Sequence, residues 1–99
     1  MKAPPTISRI SAPVVRAFAC LVNRPGQWFT AAELSGAGKT SESTVYHRFA
    51  NLASAGAVRV RQRAGFREFS LHPRWDDSAL ALQLHTRALA AGQIGQTPP

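Results

Sequence analysis

The sequence predicts a mainly helical α+β domain in the order helix, short strand, helix, helix, hairpin, helix. Three observations predict it. Thr30-Ala31-Ala32-Glu33 and Ser41-Glu42-Ser43-Thr44 each pair a helix-capping residue with a following apolar period, so two helices start in close succession. Gly56 then closes a helical pattern and opens a strict alternation, Val58-Arg59-Val60-Arg61 and Glu68-Phe69-Ser70-Leu71, which has the period of two half-buried strands. The length of 99 residues suits one domain with a modest core and leaves no room for a second.

The elements follow in order. Residues 1–9 carry prolines and serines and are expected to form a flexible N-terminal arm. Ser11 reads as the N-cap of the first helix, with Pro13 in the first turn and Ile10 and Val15 spaced as a hydrophobic staple. Val14, Phe18, Leu21 and Val22 make its apolar face, Arg16 points away, and Arg24-Pro25-Gly26 ends it near Asn23. Gln27-Trp28-Phe29 is a short β-prone segment. Thr30 and Glu33 form a capping box for a second helix from Ala31, stapled by Phe29 and Leu34 and kept short by Ser35-Gly36-Ala37-Gly38-Lys39.

The third helix starts near Ser41 and stops at Gly56, with Val45, Phe49 and Leu52 on one edge and Ser43, His47 and Ala50 opposite. The hairpin turns at Gln62-Arg63-Ala64-Gly65, and Phe66 falls on its solvent-side parity. Pro73 ends the second strand, Trp75 is an apolar anchor, and Asp76-Asp77 cap a fourth helix, 78–91, stopped by Gly92. The domain is thus expected to span 10–91, followed by a disordered tail at 92–99. In the fourth helix Leu80 and Leu84 share one edge while Leu82 and Leu89 lie nearly opposite. A helix apolar on two sides is buried on both or meets a second chain. Trp75, Leu80, Leu82, Leu84 and Leu89 are therefore the candidate dimer contacts.

Composition narrows the function. Hydrophobic residues make up 44% and charged residues 17%, as in a folded globular chain. No apolar run reaches the roughly 20 residues of a spanning helix, and Met1 to Arg9 lacks the apolar core of a secretory leader, so no membrane role and a cytoplasmic location are expected. Twelve Lys+Arg against five Asp+Glu give a net charge of +7, which points to a polyanionic partner, nucleic acid first. Gly36-Ala37-Gly38-Lys39-Thr40 is not a nucleotide-binding Walker A loop, because Glu33 stands where that loop needs its first glycine. Cys20 is alone, and His47, His72 and His85 fall in three separate elements, so no zinc site, cofactor or enzymatic constellation is expected.

Residues 12–72 resemble the winged helix-turn-helix domain of bacterial transcriptional regulators of the MarR-like, ArsR-like and PadR-like families. The resemblance is carried by Thr30-Ala31-Ala32-Glu33-Leu34 at the opening of the second helix, by Ser41-Glu42-Ser43-Thr44-Val45 at the start of the third, with Val45 eleven residues after Leu34, and by Leu52-Ala53-Ser54-Ala55-Gly56-Ala57-Val58 leading into the wing. It implies the fold and binding to double-stranded DNA. It identifies no subfamily. Gly38 and Thr40 replace residues that are usually apolar there, which implies a looser turn between the second and third helices.

On that resemblance the third helix is a recognition helix, 41–55, lying in the major groove. Ser43, Thr44, Tyr46, His47 and Asn51 are expected to read bases. Lys39, Ser41, Arg48, Arg59, Arg61, Arg63 and Arg67 are expected to meet phosphates, the last four from an Arg-rich wing. A small dimeric regulator of repressor type is the expected function, with any effector unknown. Two alternatives stay open: a winged helix serving as a protein-interaction module through Phe66 and the fourth helix, and a non-specific architectural nucleic-acid binder.

Overall fold

The computed structural model describes residues 11–94. Helices α1 (Ala12–Asn23), α2 (Ala31–Gly38), α3 (Glu42–Ser54) and α4 (Ala79–Ala90) pack with strands β1 (Phe29–Thr30), β2 (Val58–Arg63) and β3 (Phe66–Leu71), and a 3-10 turn (Trp75–Asp77) precedes α4. The mainly helical α+β order read from the sequence is the order observed. The arm at 1–9, the staple residue Ile10 and the tail from 95 onward lie outside the described residues.

The sheet is antiparallel with order β1-β3-β2, so the last strand sits in the middle. Phe29 pairs with Phe69, which pairs with Val60, and Thr30 pairs with Glu68, which pairs with Arg61. Phe29, Phe69 and Val58 are buried, but Val60, expected inside, is 41% exposed. The helical cover goes instead to the middle strand, where Phe69 meets the edges of Phe49 and Tyr46 from α3. Ser70, expected on the solvent side, is fully buried, flanked by β1 and β2 on the middle strand. The hairpin is also tighter than expected. Arg63 pairs directly with Phe66, leaving only Ala64 and Gly65 to turn, both at positive φ (52° and 83°) as a type I′ turn requires.

Helix α1 is the hub. Val14, Val15, Ala17, Phe18, Ala19 and Leu21 are all buried because it packs against α2, α4 and the sheet. Its start departs from the expected cap: Ser11 occupies the N-cap position, but its carbonyl, not its hydroxyl, accepts from Val14 and Val15 N–H. The Thr30–Glu33 capping box is present in both directions, with Glu33 N–H donating to Thr30 Oγ1 at 3.2 Å and Thr30 N–H to Glu33 Oε1 at 2.8 Å. Phe29 and Leu34, the expected staple, are both in the core. Ahead of α4 the cap is Ser78, whose hydroxyl accepts from Ala81 N–H at 3.2 Å. Asp76 and Asp77 lie in the preceding turn instead, where Asp77 pairs with Arg74.

The chain stays on the domain past Gly92. Gln93 N–H donates to the Ala88 carbonyl, the Gln93 carbonyl accepts from the Asn23 side chain, and Ile94 is buried. The expected boundary at 91 therefore moves outward to include 92–94.

The turn between α2 and α3 is tight, not loose. Arg16, expected to point away, donates from Nε and Nη2 to the Gly38 carbonyl at 3.2 and 2.8 Å, satisfying the end of α2. A Cβ on Gly38 would stand 2.6 Å from the Pro13 carbonyl oxygen, so glycine is what lets α2 approach α1. Lys39 then caps α2 in the left-handed region (φ 56°), with Thr40 N–H donating to the Ser35 carbonyl. Gly36 differs: a Cβ there would meet nothing within 4 Å. Gly38→Ala is therefore expected to destabilise the fold by about 1–3 kcal/mol through overpacking, whereas Gly36→Ala should stabilise it by up to about 1 kcal/mol through helix propensity. Chemical denaturation of the two variants beside the parent checks both signs.

Candidate nucleic-acid interface

Helix α3 presents its polar side because Val45, Phe49 and Leu52 are buried on the other. Its N-terminus is organised by Ser41, whose hydroxyl accepts from Thr44 N–H at 3.1 Å and donates to Thr44 Oγ1 at 2.9 Å. The hydroxyl proton of Ser41 and one of its lone pairs are thus used inside the helix start. Glu42 occupies the first helical position, exposed and favourable against the helix dipole.

The expected base-reading residues are partly gathered. Ser43, Tyr46, His47 and Ala50 line one shallow depression on the exposed face. Asn51 is exposed but outside it, and Thr44 is half-buried beside Ser41. Tyr46 is more constrained than its neighbours. Its ring stands edge-on to Phe69 at 6.4 Å between centroids, and the Arg67 guanidinium sits 5.6 Å over it. Tyr46, Phe66 and Arg67 also line, with Thr30, Ala31, Ala32 and Glu42, a groove between the start of α3 and the wing.

The expected phosphate residues divide. Lys39, Arg48, Arg59, Arg63 and Arg67 are all exposed, Lys39 on the turn before α3, Arg48 on the flank of α3 and Arg63 at the hairpin tip. Arg67 is directed at Tyr46. Arg61 Nε pairs with Glu68 Oε1 at 2.7 Å, and both Arg59 and Arg61 lie over the Trp28 ring, at 4.9 and 4.3 Å from its centroid. Trp28 and Arg16 were not picked out as functional from the sequence. Alternation alone would place Trp28 on the face opposite Phe29, but its arginine neighbours follow only from the strand order.

The candidate dimer residues divide as well. Leu84 is completely buried with Ala81 and Ala88 in the protein's own core, so it is not available to a second chain. Trp75, Leu80 and Leu89 are partly buried against that core, and the Trp75 ring lies 4.9 Å from His85. Leu82 is 44% exposed and opens a groove with Gln83, Thr86 and Arg87. Of the remaining groups, Cys20 is half-buried, and burial pushes its thiol above the ordinary value, with Glu33 adding and Arg24 opposing. Among the described residues no three His, Cys, Asp or Glu side chains gather as a metal site, and no helix is long and apolar enough to cross a membrane.

No family model and no curated protein matches the chain by sequence. Solved structures do match it. A MarR family transcriptional regulator from Silicibacter pomeroyi superposes with a TM-score of 0.61 at 22% identity, covering 89% of this chain and 61% of that one. BpsR of Bordetella bronchiseptica, described for regulation of its DNA binding by 6-hydroxynicotinic acid, gives 0.60 at 16% identity over 93% and 67%. TubR, a type III plasmid segregation protein, gives 0.57 at 12% identity over 98% and 95%. The fold is a winged helix, with α2 and α3 as the helix-turn-helix and β2–β3 as the wing. The chain spans about three fifths of the length of the MarR family regulator it matches.

Because Ser41 is the hydroxyl that caps α3, Ser41→Ala is expected to cost about 0.5–2 kcal/mol of stability, while Ser41→Asp should retain most of it. Thermal unfolding of both variants checks this.

Proposed function

We propose that the protein is a sequence-specific double-stranded DNA-binding regulator that inserts α3 into the major groove and sets its wing on the neighbouring backbone. The observation that carries this reading is the outward face of α3, where exposed Ser43, His47 and Ala50 and half-buried Tyr46 line one depression flanked by Arg48 and the Arg63 tip, on a winged-helix frame with a net charge of +7. His47, Ser43 and Asn51 serve as base readers, Thr44 and Tyr46 as readers tied to the helix start and the wing. Lys39, Arg48, Arg63 and Arg67 neutralise phosphates. Ser41 contributes by fixing the helix end whose N–H groups face an anion. The MarR family match and BpsR's described DNA binding support this use of the fold.

A homodimer acting on two half-sites fits a domain of this size, and exposed Leu82 on α4 supports it. Its contact uses Leu82 with the outer edges of Trp75 and Leu89, whereas Leu80 lies on the opposite edge of α4 beside core Leu84. We read the regulator as a repressor-type protein in the cytoplasm.

Selection of bound sequences from a random duplex pool, followed by titration at about 50 and 200 mM salt, tests the reading. A preferred site is expected; binding without preference leaves only an architectural role, and no binding at low salt leaves the protein-interaction alternative. With the preferred site in hand, His47→Ala or Asn51→Ala should cost about 1–3 kcal/mol on that site and little elsewhere. Arg63→Ala should weaken all sequences alike and reduce the salt slope by about one. Leu82→Asp should yield a monomer in sedimentation; an unchanged mass places the contact elsewhere.

A further inference from the structure

The wing is held by more than its hairpin. β1 is two residues long and joins only β3, so its backbone pairs reach no further than Phe29–Phe69 and Thr30–Glu68. β2 lies on the far side of β3, two strand spacings away, or about 10 Å. Long side chains bridge that gap. Arg59, Arg61 and Glu68 share the outer face of the ribbon by register, and Trp28, preceding Phe29, falls on the same face. The guanidinium groups of Arg59 and Arg61 stand 4.9 and 4.3 Å from the indole centroid, within cation–π range. Arg61 is held a second time by Glu68, whose side chain is only 17% exposed. Beyond this cluster the ribbon has one more paired step on each strand and then the Arg63–Phe66 tip, and a free two-stranded ribbon is marginally stable.

We propose that Trp28 is a positioning residue for DNA binding: by gripping Arg59 and Arg61 it ties β2 to β1 and sets the angle at which Arg63 meets a phosphate. The proposal rests on the duplex-binding reading. It also reassigns Arg61 from phosphate contact to support, because its guanidinium is paired with Glu68 and stands over Trp28, while Arg59 remains exposed over the same ring.

Charge counting separates the two roles. A phosphate contact that is lost lowers the salt slope by about one, whereas a support that is lost weakens binding with the slope intact. Arg61→Gln and Trp28→Leu are therefore each expected to raise Kd by roughly 3- to 10-fold with an unchanged slope, measured well below each variant's melting temperature. Trp28→Phe, which keeps an aromatic face, should bind within about twofold of the parent. The proposal is overturned if Arg61→Gln flattens the slope as Arg63→Ala does, if Trp28→Leu binds like the parent, or if Trp28→Phe is as weak as Trp28→Leu. NMR of the DNA-free protein reads the grip independently. The Cδ protons of Arg59 and Arg61 should be shifted upfield by the indole in the parent and not in Trp28→Leu, and their absence of shift in the parent overturns the grip. A parent that shows these shifts but binds no duplex overturns the DNA reading alone.

Discussion

The angle at which α3 leaves the domain is set by a contact outside α3. Gly38 brings the end of α2 against the Pro13 carbonyl, and Arg16 of α1 reaches over to bind the Gly38 carbonyl with two N–H groups. A buried or half-buried carbonyl left without a donor is costly, so this pairing fixes the end of α2 as firmly as a hydrogen bond to charge allows. Lys39 then turns the chain through the left-handed region and Ser41 opens α3 at once. With no slack in this corner, the direction of α3 follows from the packing of α2 on α1, and α1 is the most buried helix of the fold.

A net charge of +7 is not a count of charges offered to a partner. Arg16 serves a carbonyl, Arg61 a carboxylate and an indole, Arg74 a carboxylate, and Arg59 and Arg67 lie over aromatic rings. Arginine suits these tasks because its flat, weakly hydrated head stacks and forks while its charge persists. Such a cation still adds to the field that attracts a polyanion, although it need not touch one. On the proposed reading, long-range attraction and close contact draw on overlapping but different sets of side chains, and Lys39, Arg48 and Arg63 are exposed and in none of these pairings.

How much of this was legible varied with the range of the interaction. The Thr30–Glu33 box, the apolar edge of α3 and the closing glycine at 56 are local, and the residues concerned announce themselves within a few positions. Gly38 read as looseness because a glycine's lack of a side chain is informative only once its neighbour, Pro13, is known. Ser70 broke the alternation for a similar reason: which strand is central depends on β1, a two-residue element far away in the chain. The α4 leucines looked equivalent in period, yet the core accepts Leu84 and leaves Leu82 outside. For the candidate site, the face of α3 was readable as a period, whereas the partners of Tyr46, Arg59 and Arg61 required the tertiary arrangement.

Tyr46 belongs to two systems at once, since one side of its ring braces Phe69 and Arg67 while its neighbours Ser43 and His47 line the open face. This has a bearing on how such a domain would diverge. On the proposed DNA-reading role, a duplicate copy acquiring a new target would exchange Ser43, His47 or Asn51 one at a time, because none of their side chains supports another element. A change at Tyr46 would on that reading alter recognition and wing placement together, so it would be accepted chiefly in company with changes on β3. The variability expected among descendants is therefore uneven along a single helix face, with a slow-changing tyrosine set among fast-changing neighbours.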